Sequence, residues 1–154
     1  MSTYAIFLTL FTFAACLGVV VLLWRGWVWV LAHSSKWKKM ELVYPGNLDQ
    51  TLATKKRVYA KIGIGKYNGI ITLESTLQSL RIKTIFLFKT GFKPLSIPWT
   101  DLTYTKKTVS PPLLEWLTLT YFFTAAKLPD VKISFDKKVG EWILEQKAKN
   151  GYGK

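Results

Sequence analysis

The stretch YAIFLTLFTFAACLGVVVLLW decides the fold; it occupies Tyr4–Trp24 and carries no charged side chain. As an α-helix at 1.5 Å per residue, it spans about 30 Å, the thickness of the hydrocarbon core of a bilayer. A helix is the only open-ended structure that satisfies its own backbone polar groups in lipid. We therefore predict that residues 1–33 form a transmembrane helix with an interfacial extension.

The apolar stretch fits three alternative roles less well. A cleaved signal peptide would start with basic residues and have a shorter apolar run, but Met1-Ser2-Thr3 carries no basic side chain. Lipoprotein processing at Cys16 would leave a tail beginning with the apolar run Leu17–Val21. A buried helix of a soluble domain would normally show a polar face, and this stretch has none.

Charge and tryptophan both appear at the C-terminal end of this stretch. The chain has 22 Lys and Arg and a formal net charge of +13, and its first basic residue is Arg25. Tryptophan favours the membrane interface, and the positive-inside rule places residues 34–154 in the cytoplasm and the N-terminus outside. The predicted interface residues are Trp24, Arg25, Trp27, Trp29, Lys36, Trp37, Lys38 and Lys39.

The rest of the chain divides into a polar juxtamembrane connector, residues 34–56, and a mainly-β domain, residues 57–154. Alternation of apolar and polar residues, with β-branched and aromatic side chains, predicts about seven strands. The segment 113–128 is too short and too rich in Thr for a second membrane helix. The predicted strands are Val58–Ile64, Ile70–Glu74, Leu80–Thr84 with an extension over Ile85–Phe88, Leu95–Ile97, Leu102–Thr105, Trp116–Phe122 and Val131–Phe135.

An amphipathic helix is predicted at residues 137–149, after an N-cap at Asp136. About seven strands followed by one such helix favour a pleckstrin-homology-like (PH-like) arrangement, a curved antiparallel sheet or open barrel. We expect the helix to cap the open end of the sheet with Trp142. An OB-like barrel and a β-sandwich remain alternatives.

Composition excludes most catalytic and metal-binding templates. One Cys and one His cannot supply a Cys/His zinc site. Cys16 and His33 would lie about 25 Å apart along a helix, too far for a nucleophile–base pair. Gly63, Gly65 and Gly69 fit neither the dinucleotide-loop nor the P-loop spacing. We predict a non-enzymatic protein with no cofactor and no metal, and no nucleic-acid partner.

Several motifs resemble those of uncharacterised bacterial membrane-anchored proteins with a PH-like domain. The likeness lies in Tyr67-Asn68, in Leu80-Arg81-Ile82 and in FKTGFKPLSIPW at residues 88–99. The resemblance implies a bacterial inner-membrane location and a PH-like fold, and it implies no reaction. In the motif we expect Pro98 to end a strand and Trp99 to hold the next one on the core. The residues assigned structural roles are Pro94, Leu95, Ile97, Pro98, Trp99 and Trp142.

Two functions follow from these features. The first is an accessory or scaffold subunit of an inner-membrane complex, whose helix packs on an integral membrane partner through the small residues Ala14, Ala15 and Gly18. The second is a stand-alone anchored module for anionic lipid or a peptide. The predicted basic surface comprises Lys55, Lys56, Arg57, Lys106, Lys107, Lys137 and Lys138.

Overall fold

The computed structural model describes residues 3–108 and 119–152. These residues form a long N-terminal helix, a short second helix, an antiparallel sheet and a C-terminal helix, which confirms the predicted order of elements. The helices are α1 (Thr3–Ser34), α2 (Trp37–Val43), a 3-10 turn (Phe86–Phe88) and α3 (Lys137–Lys149). The strands are β1 (Thr51–Ile62), β2 (Gly65–Thr76), β3 (Ser79–Thr84), β4 (Leu95–Pro98), β5 (Leu102–Thr108), β6 (Leu119–Ala125) and β7 (Leu128–Asp136).

Helix α1 is continuous over 32 residues, which corresponds to about 48 Å of helix. Its segment Ile6–Ser34 is long and apolar enough to cross a membrane, with a mean hydropathy of 2.7 in its most apolar window. The helix is longer than a bilayer core requires. Its last turns pack on the domain instead, where Val28 and Ala32 are buried.

The sheet is open and entirely antiparallel, with the strand order β4-β3-β2-β1-β7-β6-β5. Strand β1 joins a four-stranded meander to a three-stranded one, and it pairs with β7 only at Ala60–Ile62. Register shifts lie on both sides of Val58, beside a left-handed backbone at Arg57 (φ 55°). Irregularities of this kind bend a strand and increase its local twist, so β1 bends where the two meanders meet.

Helix α3 packs on the sheet. The Asp136 side chain accepts a hydrogen bond from the Val139 backbone N–H at 2.8 Å, which caps the helix at the predicted residue. Val139 and Ile143 are buried. A Cβ added at Gly140 would lie 2.2 Å from Cγ of Tyr121, so α3 approaches β6 more closely than any side chain would allow.

The connector differs from the prediction. Strand β1 begins at Thr51, before the predicted domain start at residue 57. Trp37 and Met40 on α2, and Tyr44 directly after it, are fully or almost fully buried, so α2 and its C-cap contribute part of the domain core. Its apolar side chains fill the space between the end of α1 and the sheet, which the polar composition of residues 34–56 does not indicate.

Two predicted strands differ from the observed ones. The predicted extension of β3 over Ile85–Phe88 is wrong, because Phe86–Phe88 is a 3-10 turn whose backbone leaves the ladder at Ile85. An uninterrupted apolar run has no alternation of apolar and polar residues, so its sequence does not distinguish a strand from a 3-10 turn. Of the predicted strand Trp116–Phe122, residues 119–122 lie in β6, and residues 116–118 lie outside the described residues.

Candidate basic pocket beside the apolar helix

A cavity of about 400 Å³ lies between the link that precedes β1, strand β3 and the segment that joins the 3-10 turn to β4. Four of its lining residues are cationic, and none of the described residues that line it is acidic. The lining residues are Gly46, Asn47, Leu48, Arg81, Lys83, Thr84, Lys89, Phe92, Lys93 and Pro94.

Arg81 forms the rigid base of this pocket. Its side chain is only 5% exposed and its Nη1 donates to Oε2 of Glu74 at 2.9 Å. Nη2 donates to the Asp49 carbonyl at 2.6 Å and to Oδ1 of Asn47 at 3.3 Å. A buried guanidinium held by this many acceptors is fixed in orientation, so Arg81 ties the link to the sheet.

Glu74 lies beneath the pocket and neutralises part of its charge. Lys83, two residues after Arg81 on the same strand face, reaches the same carboxylate at 2.7 Å. Burial opposes ionisation of Glu74, but hydrogen bonds from Lys83, Arg81 and Thr51, together with the charge of Lys83, outweigh it and hold the Glu74 pKa below its ordinary value. The carboxylate is therefore ionised at neutral pH, shared between two cations.

The link above the pocket is held in place by close backbone packing. A Cβ added at Gly46 would lie 2.7 Å from Cβ of Pro94, so this position requires glycine. The Asn47 backbone N–H donates to the Ser96 hydroxyl at 3.2 Å, and that hydroxyl donates to Oδ1 of Asn47 at 2.7 Å. These contacts fix the pocket wall against the edge strand β4.

The mouth of the pocket carries the unbalanced charge. Lys89 and Lys93 are exposed, and Lys89 makes no ion pair with any described residue. Glu41, at 3.5 Å from Lys93, is shared with Lys38 at 2.9 Å. The carboxylate of Asp49 accepts from the side chain of Asn47 in the pocket wall. Counting Lys38, Arg81, Lys83, Lys89 and Lys93 against Glu41, Asp49 and Glu74, the region has a net charge of +2.

The segment between β3 and β4, which forms one side of the pocket, packs along α1. Nε1 of Trp24 donates to the Leu87 carbonyl at 3.4 Å, and its ring contacts Phe88 edge-on with centroids 5.3 Å apart. A Cβ at Gly91 would lie 2.7 Å from Cγ1 of Val28. The segment that carries Lys89 therefore runs along α1 over the turn that follows Trp24.

A second cavity of about 480 Å³ lies on the other side of Phe92, between the end of α1 and the β1–β2 hairpin. Leu31, Tyr67 and Phe88 contribute to its wall. Burial raises the pKa of Tyr67 to about 12, partly opposed by the adjacent Ser35 hydroxyl. A neutral phenol suits the apolar surroundings of this cavity.

The predicted interface residues separate into two groups. Trp24, Trp27 and Trp29 are exposed on α1, whereas Trp37 is wholly buried in the domain and does not lie at an interface. Its indole N–H donates to the Lys93 carbonyl at 2.9 Å. Arg25 is exposed. Lys36 and Lys39 pair with Asp130 at 3.4 and 2.9 Å, and Lys38 pairs with Glu41.

The other predicted residues are spread over the molecule. Ala14, Ala15 and Gly18 are exposed on α1, with open space around Gly18. In the motif, Leu95, Ile97 and Trp99 are buried, and Trp99 Nε1 donates to the Thr76 carbonyl at 3.0 Å. Pro94 is exposed, and Pro98 and Trp142 are half-buried.

The described part of the predicted basic surface lies where β1 passes the start of α3. Lys56, Arg57, Lys137 and Lys138 are exposed. Lys55 is half-buried, lies 5.9 Å over the Trp142 ring and donates to the Lys138 carbonyl at 2.9 Å. The side chains of Lys106 and Lys107, in β5, lie outside the described part of the structure.

Sequence reasoning missed the four cations of the pocket. Arg81 and Lys83 stand two residues apart in a strand and so share one face, which was a readable signal. Lys89 and Lys93 lie in the segment after the 3-10 turn, and only the folded structure brings them to the same cavity as Arg81 and Lys83. In residues 3–108 and 119–152 no cluster of three His, Cys, Asp or Glu side chains could hold a metal ion.

The chain matches no model of a known protein family, and no curated protein is significantly similar to it in sequence. The resemblance to bacterial membrane-anchored PH-like proteins stays a prediction. The pocket and its position beside α1 are therefore the basis for a function.

Proposed function

We propose that this protein is a non-catalytic, membrane-anchored module that binds the anionic headgroups of lipids in the membrane that α1 spans. The observation that carries the proposal is the cationic lining of the pocket, in which Lys89 follows the turn that contacts Trp24 and makes no ion pair among the described residues. Near an anionic leaflet each such side chain gains about 1 kcal/mol.

Location and fold belong to the same proposal. Basic residues that follow the apolar stretch support a cytoplasmic domain and an external N-terminus, in a bacterial inner membrane. The two meanders joined through a bent β1, followed directly by α3, support a PH-like arrangement. In this orientation Lys89 directly follows the turn that contacts Trp24, and Lys93 lies beside α2.

The pocket can be tested with the full chain in nanodiscs that contain phosphatidylcholine and phosphatidylglycerol. Native mass spectrometry would report how much anionic lipid is retained by the wild type and by the Lys89→Gln/Lys93→Gln double variant. Both lysines are exposed, so the fold should tolerate their change. Loss of two contributions of about 1 kcal/mol each predicts a roughly 30-fold lower preference for phosphatidylglycerol.

The matched control is Lys137→Gln/Lys138→Gln, which removes the same charge from the exposed start of α3. We expect it to retain the wild-type preference for phosphatidylglycerol. If both double variants lose the preference equally, general charge attraction explains binding and the pocket proposal fails. If neither loses it, Lys89 and Lys93 do not carry the preference and the pocket proposal fails.

A second candidate is the accessory subunit of an inner-membrane complex. It is favoured by α1, whose large apolar side chains are exposed from Ile6 to Trp24 and whose Gly18 has open space for a neighbouring helix. Gly18→Leu should then abolish stoichiometric co-purification of a membrane partner in mild detergent, whereas Val19→Leu should preserve it. A chain that elutes without any partner in the wild type would exclude this candidate.

A further inference from the structure

The 3-10 turn and the residue before it expose three consecutive apolar side chains. Phe86 is 78% exposed and Leu87 55% exposed, although both belong to a domain whose surface is strongly basic. The flanking Ile85 is also exposed. An aromatic and two aliphatic side chains side by side in water mark an interaction surface more often than a single exposed residue does.

Contacts with α1 fix the level of this turn along the helix. The Leu87 carbonyl accepts from Nε1 of Trp24 at 3.4 Å, and Phe88 lies edge-on to the Trp24 ring. Trp24 is the last residue of the charge-free stretch. The exposed side chains of Phe86 and Leu87 are therefore beside the end of the membrane-spanning segment, and their apolar surface continues that of the helix.

The turn also repeats the order of residues at the helix end. Phe86-Leu87-Phe88 is followed by Lys89, as Leu22-Leu23-Trp24 is followed by Arg25. In both, apolar and aromatic side chains precede a cation that can reach lipid phosphate. The Trp24 contacts hold these two sequences side by side. Their apolar side chains would therefore lie at one depth in the membrane, and Arg25 and Lys89 would both lie at the level of the lipid phosphates.

We propose that Phe86 and Leu87 insert into the interfacial layer of the membrane that α1 spans, giving the domain a second attachment point. This inference rests on the membrane anchoring in the proposed function. The occupant of the apolar surface is lipid because the turn is continuous with a lipid-facing helix surface. Insertion would hold Lys89 and the mouth of the pocket among the headgroups.

The test uses spin labels on the full chain in liposomes, with accessibility to oxygen compared with accessibility to a water-soluble nickel chelate. One label is placed on native Cys16, in the middle of α1. In a Cys16→Ser background, others are placed at position 87 and at Leu77, which is 63% exposed at the end of β2 away from α1. We expect oxygen preference to be highest at Cys16, intermediate at 87 and absent at 77.

A further pair of variants tests the insertion directly. With the label at position 87, Phe86→Asp should lower the oxygen preference to the level of position 77, whereas Phe86→Leu should preserve it. A label at position 87 that matches position 77 while Cys16 lies in lipid would overturn the inference and leave the anchor intact. Spin–spin broadening at position 87 would overturn it too, since a second copy would then cover the turn. A water-accessible Cys16 label would overturn the anchor as well.

Discussion

Replacing Trp37 by alanine should lower the free energy of unfolding of the β domain by about 4 kcal/mol. The side chain is wholly buried and packs against Tyr67 and Phe92, with ring centroids 5.6 and 5.2 Å away. About 200 Å² of buried aromatic surface at about 25 cal/mol/Å² is worth about 5 kcal/mol. Alanine retains a small part of this, and Trp→Ala changes in protein cores cost about 3–5 kcal/mol.

The assay is urea unfolding of the full chain in detergent micelles, followed by near-ultraviolet circular dichroism. Trp29→Ala is the matched control because Trp29 is 58% exposed on α1, and it should change the unfolding free energy of the domain by less than about 0.5 kcal/mol. Trp37→Phe should fall between the two, since it keeps most of the volume but leaves the Lys93 carbonyl without its indole donor. If Trp37→Ala unfolds at the same urea concentration as wild type, α2 is not part of the domain core.

Three further predictions concern Gly140, Glu74 and Tyr67. Gly140→Ala should destabilise the domain in thermal unfolding even though alanine favours helices by about 1 kcal/mol, because the new Cβ would overlap Tyr121. The lowered pKa of Glu74 contributes stability above its ordinary value of 4.5 that is lost as the pH falls through the folded pKa. Glu74→Gln should therefore flatten the loss of stability measured from pH 6 down to pH 3. The raised pKa of Tyr67, about 12, contributes stability below its ordinary value of 10 that is lost as the pH rises between the two. Tyr67→Phe should reduce the fall in unfolding free energy between pH 9 and pH 11.5, and an unchanged slope would contradict the buried phenol.

Sequence patterns predicted those elements whose signal is local. Helix α1 was predicted from the length of its apolar run alone. The N-cap at Asp136 and the apolar stripe that follows it predicted α3 at the observed residues. Antiparallel strands with polar outer faces were readable from alternation. The bend of β1 at Arg57 was not, because a left-handed backbone at a residue other than glycine has no sequence signature.

Features that depend on contacts between residues far apart in the sequence were harder to predict. Trp37 lies soon after the long apolar helix, where a tryptophan suits both the membrane interface and a domain core. Only its packing against Phe92 shows that it belongs to the core. The basic pocket combines cations from a strand and from the segment after the 3-10 turn with a wall from the link before β1. No linear pattern contains that arrangement, although Arg81 and Lys83 were visible as neighbours on one face.

The continuity of α1 into the domain has a mechanical consequence. Helix α1 is unbroken up to Ser34, and Val28 and Ala32 bury their side chains in the domain. The helix and the domain therefore move as one rigid unit. A change of about 20° in helix tilt lies within the range seen for membrane helices, and it would shift a point about 30 Å from the centre of rotation by roughly 10 Å. Bilayer thickness, or a neighbouring helix that alters the tilt, would thereby move the outer end of the sheet mainly sideways over the membrane surface and change which face of the domain is turned toward it.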